Sequence, residues 1–209
     1  MSLFFAIFVS YLIGAVPTAY IFGKLYKKID IRKHGSGNVG ATNVFRVLGK
    51  WPGIIVLVLD IIKGIIPVWL IADVFSVTLP LERIVLAVSA VCGHNWTIFL
   101  GFKGGKGIAT SLGALIGLTI VIESIRFVLL LTVFTWLLCF LLSGFVSLSS
   151  IFASILLPGF MIITDQDFEL VLLGIVFCAF VVIRHKSNIK RLLSGREPKV
   201  SLPFFKKNN

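Results

Sequence analysis

Residues 127–164 form a run of 38 uncharged positions, from Phe127 to Thr164. As one straight helix they would reach about 57 Å, against a hydrocarbon core of about 30 Å. Two membrane spans fit the run better, breaking around Ser143-Gly144 and the Ser147–Ser150 cluster. A soluble fold has little use for such a hairpin, and the composition agrees: 57% of the 209 residues are apolar and 14% charged, where soluble chains average about 45–50% and about 25%. Too few polar groups remain to cover a globule of this size. Disorder and an ordinary cytosolic domain are excluded together, and lipid is the solvent.

Further apolar segments complete the count. Residues 1–23 carry no formal charge, with Met1-Ser2 opening straight into the apolar run. A secretory signal has a basic start, a shorter apolar run and a small-residue cleavage site, so the segment reads as an uncleaved first span. Its Pro17 is tolerable where neighbouring helices satisfy the carbonyls it frees. Further runs cover 51–71, 84–102 (interrupted only by His94), 107–122 and 169–183. The predicted fold is all-α: a polytopic integral membrane protein of about seven transmembrane helices, a single domain over 1–209.

Charge placement orients it. Of 20 Lys and Arg, seven lie in 24–51, two in 101–107 and eight in 184–209; the exceptions are Lys63, Arg83 and Arg126. Lys and Arg concentrate in cytoplasmic loops. With seven spans all three basic segments share one side, placing the amino terminus outside and the carboxyl terminus in the cytoplasm. Cys92, Cys139 and Cys178 sit singly in apolar runs and read as small core residues, with no metal or redox spacing.

Three segments at span ends carry too much chemistry for plain loops: 34–49, 93–110 and 184–199. The first contains Gly35-x-Gly37-x-x-Gly40. A dinucleotide fingerprint needs a hydrophobic strand before it, and 27–33 is not one. The physics of the motif survives its failure as a fingerprint, because glycines let backbone N–H groups form a concave nest for phosphate. Gly35, Gly37, Ser36, Asn38, Thr42 and Asn43 are therefore substrate-binding candidates, and Arg46 adds a guanidinium for an oxyanion.

The second segment holds four glycines within Gly101–Gly107, with Lys103 and Lys106 among them. It fails as a nucleotide P-loop, since Gly107 stands where a Ser or Thr would hold magnesium. Gly104–Gly107 is predicted to open a membrane helix whose positive end suits a phosphate. In the third segment His185 and Asn188, three apart, share a face of any continuing helix. Lys190, Arg191, Lys206 and Lys207 read as a juxtamembrane surface for anionic lipid. Asp60 and Lys63, deep in the second span, read as an internal pair.

Together, Gly35-Ser-Gly-Asn-Val-Gly-Ala-Thr-Asn43 with Arg46, Gly101-Phe-Lys-Gly-Gly-Lys-Gly107, and His185-x-x-Asn188 with Gly195-Arg-Glu197 resemble the acyl-phosphate-dependent glycerol-3-phosphate acyltransferases of bacteria, the PlsY family. The resemblance implies a seven-helix enzyme of the bacterial inner (plasma) membrane whose active site faces the cytoplasm. It implies transfer of a fatty acyl chain from acyl phosphate to the 1-hydroxyl of sn-glycerol 3-phosphate, giving lysophosphatidic acid and phosphate, the first step of phospholipid synthesis. It implies neither metal, cofactor nor acyl-CoA, and no nucleic-acid partner; membrane lipid surrounds the chain. By position, Ser36, Arg46, Lys106, His185 and Asn188 are implied as catalytic, with Ser150 as a further substrate contact. Thr42 and Asn43 are implied to help hold the acyl-phosphate phosphate, and Gly104, Gly105 and Gly107 to shape the glycerol-phosphate pocket. A local departure is Gly144, where the family pattern carries an Arg.

Two other classes are weighed against this. A transporter or flippase for an anionic amphiphile calls for matching interrupted helices and polar groups near the midplane, yet the polar segments gather at one face. An acyl-CoA acyltransferase often carries a His followed five places later by Asp; here Val39, Phe99 and Lys190 occupy those places after His34, His94 and His185.

Overall fold

The computed structural model describes residues 2–200; the lipid-facing reading of Lys206 and Lys207 falls outside them. The chain divides into two compact units, with the boundary between Arg126 and Phe127. Every element among the described residues is helical, and the chain is an integral membrane protein. Five helical stretches are long and apolar enough to cross a bilayer, and a sixth if the bent pair Phe168–Arg184 and Lys186–Leu193 counts as one span; Ile108–Val121 is apolar but shorter.

In the first unit, α1 (Ser2–Ala15) and α2 (Thr18–Lys27) form one stretch broken at Pro17. The carbonyls left over at the break find partners on neighbouring elements: Ala15 O accepts from Thr97 Oγ1 at 2.5 Å and Val16 O from Lys63 Nζ at 3.0 Å. Next come α3 (Ala41–Leu48) and α4 (Lys50–Ile66), then a π-helical turn, Pro67–Ile71, that leads into α5 (Ala72–Val74). Then α6 (Pro80–Asn95) and α7 (Ile108–Val121) complete the unit.

Lipid tails are as apolar as leucine, so membrane helices associate by close packing, which small residues permit. A Cβ on Gly14 would overlap the Ala90 backbone of α6, and one on Gly93 the Tyr11 backbone of α1. The same relation recurs between α4 and α7, where Gly64 lies against Thr110 and Gly113 against Ile61. These two glycine-mediated crossings fix the frame on which the polar segments sit. Beside them, Ala19, Ile31, Val39, Val44, Leu48, Val56 and Leu100 form a buried cluster under α3.

The three basic residues that break the charge bias are all engaged internally. Lys63 Nζ lies 2.8 Å from Asp60 Oδ1. Arg83 donates to Val68 O (2.9 Å), in the π-helical turn, and to Asp73 Oδ1 (2.6 Å). Arg126 meets Glu123 Oε1 at 3.1 Å and Thr119 O at 3.2 Å.

The uncharged run does break into two helices, α8 (Ile125–Ser143) and α9 (Val146–Ile163). The turn between them needs Gly144, whose φ of +73° is one that L side chains rarely adopt. Trp136 Nε1 of α8 donates to Ser150 Oγ of α9 at 3.1 Å. α10 (Phe168–Arg184) packs on α9, with Gly174 against Pro158 and Met161. α11 (Lys186–Leu193) then leaves at a 63° bend. Cys92, Cys139 and Cys178 are half-buried thiols, and no pair of them is joined.

Candidate active site

The 34–49 segment is organised by one side chain. Asn43, buried at the start of α3, accepts the Ser36 N–H on Oδ1 at 2.8 Å, while its Nδ2 faces the carbonyls of His34 (3.0 Å), Asn38 (3.1 Å) and Ile31 (3.3 Å). This works because Gly35 and Gly37 take positive φ, +61° and +71°, and because a Cβ at Gly35 would overlap Asn43 Oδ1. The amide that the sequence offered to a phosphate is thus engaged inside the loop. Ser36, Thr42 and Arg46 are exposed, and Thr42 and Arg46, four apart on α3, share its outer face. Ahead of the loop is a 3-10 turn at Ile31–Lys33, not a strand, which removes the dinucleotide motif's required context. There the Arg32 guanidinium holds the Asp30 carboxyl well below the usual carboxylate range.

The 93–110 segment folds back on the helix it leaves. The last carbonyls of an α-helix lack intrahelical partners; here Gly105 N–H donates to His94 O at 3.0 Å and Gly104 N–H to Asn95 O at 3.2 Å. Those two N–H groups therefore cap α6. Their glycines are required by contact, since a Cβ on Gly104 would overlap the His94 carbonyl and one on Gly105 the His94 imidazole. Gly107, at φ +80°, then starts α7, and Ser111 N–H closes its first turn on Gly107 O at 2.7 Å. Lys106 is half-buried just before that positive helix end.

The two segments meet. A Cβ on Gly105 would stand 2.7 Å from Val39 O. A small cavity at this junction is lined by residues 15–18, Val39, Lys63, His94, Thr97, Gly104 and Gly105. Behind it lies a buried polar cluster on Asp60: Oδ1 accepts from Thr18 Oγ1 (2.6 Å), pairs with Lys63 Nζ (2.8 Å) and stands 3.8 Å from His94 Nδ1. The Asp60–Lys63 pair was legible as three-apart spacing. His94 stood in the second segment as the single interruption of an uncharged span, with no role assigned to it.

In the second unit, His185 sits at the bend between α10 and α11, so the continuous helix expected through it is interrupted. His185 and Asn188 are both buried. His185 Nδ1 is 2.8 Å from Val181 O. A carbonyl only accepts, so Nδ1 carries a proton. Glu197 returns from the tail: Oε1 accepts from Asn188 Nδ2 (2.6 Å) and Ser147 Oγ (2.7 Å), and Oε2 from Arg191 Nε (2.7 Å). Burial pushes the Glu197 carboxyl up, but these three donors outweigh it and hold the group below the usual carboxylate range. Arg191, offered by the sequence to lipid, is thereby paired within the protein. Ser150 Oγ donates to Val146 O (2.8 Å) and accepts from Trp136, so its hydroxyl is engaged inside the unit. Among the described residues no group of three or more His, Cys, Asp and Glu is arranged to hold a metal ion.

Residues 4–195 match the glycerol-3-phosphate acyltransferase family. A glycerol-3-phosphate acyltransferase of Fusobacterium nucleatum subsp. nucleatum is 43% identical over 199 residues, covering 95% of this chain and 98% of its own. One from Desulforamulus reducens is 43% identical over 191 residues, covering 91% and 92%. Among solved structures, PlsY, an integral membrane glycerol 3-phosphate acyltransferase, superposes in its glycerol 3-phosphate form with a TM-score of 0.86 at 37% identity, covering 96% of each chain. Its lysophosphatidic acid form gives 0.83. Fold and relatives together define a multi-pass membrane acyltransferase. The chain belongs to the glycerol-3-phosphate acyltransferase family.

Proposed function

We propose that this protein transfers a fatty acyl group from acyl phosphate to the 1-hydroxyl of sn-glycerol 3-phosphate, releasing lysophosphatidic acid and inorganic phosphate. The observation that carries the reading is the junction of the Gly35–Asn43 loop with the Gly104–Gly107 turn at Val39 and Gly105, in a chain of this family. The first segment brings Arg46, and the second brings Lys103 and Lys106.

Two phosphates must approach for this reaction, and they repel. Arg46 suits the donor phosphate, with Thr42 beside it on the outer face of α3 and Ser36 exposed in the loop, and Lys106 with the leading N–H groups of α7 suits the phosphate of the acceptor. Asn43 and Ser150 act as braces that hold a loop and a helix pair rather than as phosphate ligands. In the second unit, His185 and Asn188, the latter held by Glu197, are the side chains suited to contact a substrate hydroxyl.

The carbon–oxygen bond forms between the glycerol 1-oxygen and the acyl carbonyl carbon, and the bond from that carbon to the phosphate oxygen breaks. The hydroxyl proton passes to the departing phosphate. A mixed anhydride is already activated, so orientation and charge neutralisation are the tasks left to the protein. His185 accordingly holds the hydroxyl rather than removing its proton.

The proposed setting is the bacterial inner membrane, crossed seven times, with the Arg46, Lys106 and His185 segments on the cytoplasmic side. Five long helical stretches support that count, taken with the bent α10 pair and the shorter apolar α7 as the remaining crossings. Protein purified in detergent, given labelled glycerol 3-phosphate with either acyl phosphate or acyl-CoA, tests the donor. Product from acyl phosphate alone is expected; product from acyl-CoA alone overturns the donor assignment. Product from neither donor moves the protein to the transporter class.

A further inference from the structure

The buried charges of α4 serve a purpose beyond packing. Asp60 and Lys63 form a pair that is nearly sealed from solvent, with side-chain exposures of 2% and 7%. A hydrophobic pair of similar volume would hold two membrane helices as well, because a buried ion pair seldom repays its desolvation. What a hydrophobic pair would not do is engage the groups around it. Asp60 Oδ1 accepts from Thr18 Oγ1 and stands 3.8 Å from His94 Nδ1. Lys63 Nζ reaches Val16 O at the Pro17 break. On the far edge of the same imidazole, Nε2 abuts Gly105, leaving no room for a Cβ there. His94 also binds that turn through its backbone, since its carbonyl takes the Gly105 N–H at 3.0 Å.

We propose that Asp60 and Lys63 act on the reaction through His94. Asp60, held by Lys63, stands against one edge of the imidazole at 3.8 Å, beyond hydrogen-bond distance, the other edge packs on Gly105, and the position of Gly105 sets where Lys106 and the start of α7 lie. Asp60 and His94 are then positioning residues for the glycerol 3-phosphate end of the reaction. They touch no reacting atom. The inference rests on the assignment of the Gly104–Gly107 turn to the glycerol 3-phosphate phosphate. Its mark is selectivity: a shift of the turn weakens capture of one substrate and leaves the other untouched.

Steady-state kinetics with glycerol 3-phosphate and acyl phosphate varied in turn test this. His94→Ala is expected to raise KM for glycerol 3-phosphate about tenfold while KM for acyl phosphate stays within about twofold. His94→Gln, which keeps a polar tip of similar reach against Gly105, recovers part of the loss. The double variant Asp60→Leu/Lys63→Met leaves no buried charge behind and is expected to fold, with the same selective rise in KM. It keeps the test open if His94→Ala does not fold. Lys106→Ala reports on the turn assignment alone. If it leaves KM for glycerol 3-phosphate unchanged, the assignment falls and this inference with it. If Lys106→Ala raises that KM while the folded His94 and Asp60/Lys63 variants match wild type, or lose both substrates equally, the inference alone is overturned.

Discussion

Asn188 Nδ2 donates to Glu197 Oε1 across 2.6 Å, joining a buried amide of α11 to a tail carboxylate nine positions on. The same carboxylate takes Ser147 of α9 and Arg191 of α11, so one side chain ties three points of the second unit together. Asn188 is aimed by this clasp, because an amide whose N–H is fixed presents its oxygen in a defined direction.

Removing the clasp should cost both fold and turnover. Glu197→Ala leaves Asn188 and Ser147 without their acceptor, and loss of partners for buried polar groups costs about 1–3 kcal/mol. A lowered melting temperature in detergent, with activity lost even at temperatures where the protein is folded, is the expected result.

The same group sets an acid limit. Its carboxyl is held below the usual carboxylate range when folded, so the unfolded chain binds the proton more readily as pH falls. The stabilisation is therefore present above the unfolded value and lost as pH drops through the lowered one. Melting temperature followed downward from neutral pH should fall more steeply for wild type than for Glu197→Gln, which cannot titrate. Parallel curves would contradict this assignment.

Asn43 separates bracing from phosphate binding. Asn43→Asp replaces the donor facing the carbonyls of Ile31, His34 and Asn38 with an acceptor, whereas Asn43→Ala only removes it. Aspartate should therefore destabilise the first unit more than alanine, by about 1–3 kcal/mol. Equal thermal stability for Asn43→Asp and wild type would show that the loop does not depend on this amide.

Glycines of the second segment should divide by what surrounds them. Gly105→Ala meets the His94 ring and the Val39 carbonyl, so activity should fall steeply. Gly101 has φ +62° but nothing within 4 Å of an added Cβ. Gly101→Ala should cost only the left-handed strain of about 1–2 kcal/mol, and Gly101→Asn less. Melting curves alongside specific activity distinguish the two cases.

Arg46 is the cation assigned to the donor. Arg46→Ala should lower kcat/KM by at least about 10²-fold with little change in melting temperature, since the side chain is exposed on α3. Arg46→Lys should restore only part, because an ammonium lacks the planar fork that matches a phosphate. Wild-type rates in Arg46→Ala would remove the first segment from the site.

Much of the membrane architecture was legible because lipid leaves few choices: the hairpin at Ser143-Gly144, the helix opening after Gly107 and the Asp60–Lys63 pair all follow from charge and spacing. Tertiary hydrogen bonds were not legible. Asn43 and Ser150 look like ligands in a motif, and no motif announces the hydrogen bonds that they also make within their own loop and helix pair. Gly104–Gly107 reads as the opening of a helix whose positive end suits a phosphate, while the Gly104 and Gly105 N–H groups close the end of α6, nine and eleven residues back, a pairing that no local pattern announces. Arg191 reads as a lipid-facing charge until the tail returns Glu197 to it. Lys63, Arg83 and Arg126, which blur the charge bias, are explained by partners inside the protein.

In the proposed reaction the acyl donor is an acyl phosphate, a mixed anhydride whose phosphate group leaves as inorganic phosphate. The most direct measurement is the ratio of phosphate released to labelled lysophosphatidic acid formed, with purified protein, acyl phosphate and glycerol 3-phosphate. About one phosphate per lysophosphatidic acid is expected, with no phosphate release when glycerol 3-phosphate is omitted. Lysophosphatidic acid formed without matching phosphate, or phosphate released at the same rate without glycerol 3-phosphate, would contradict it.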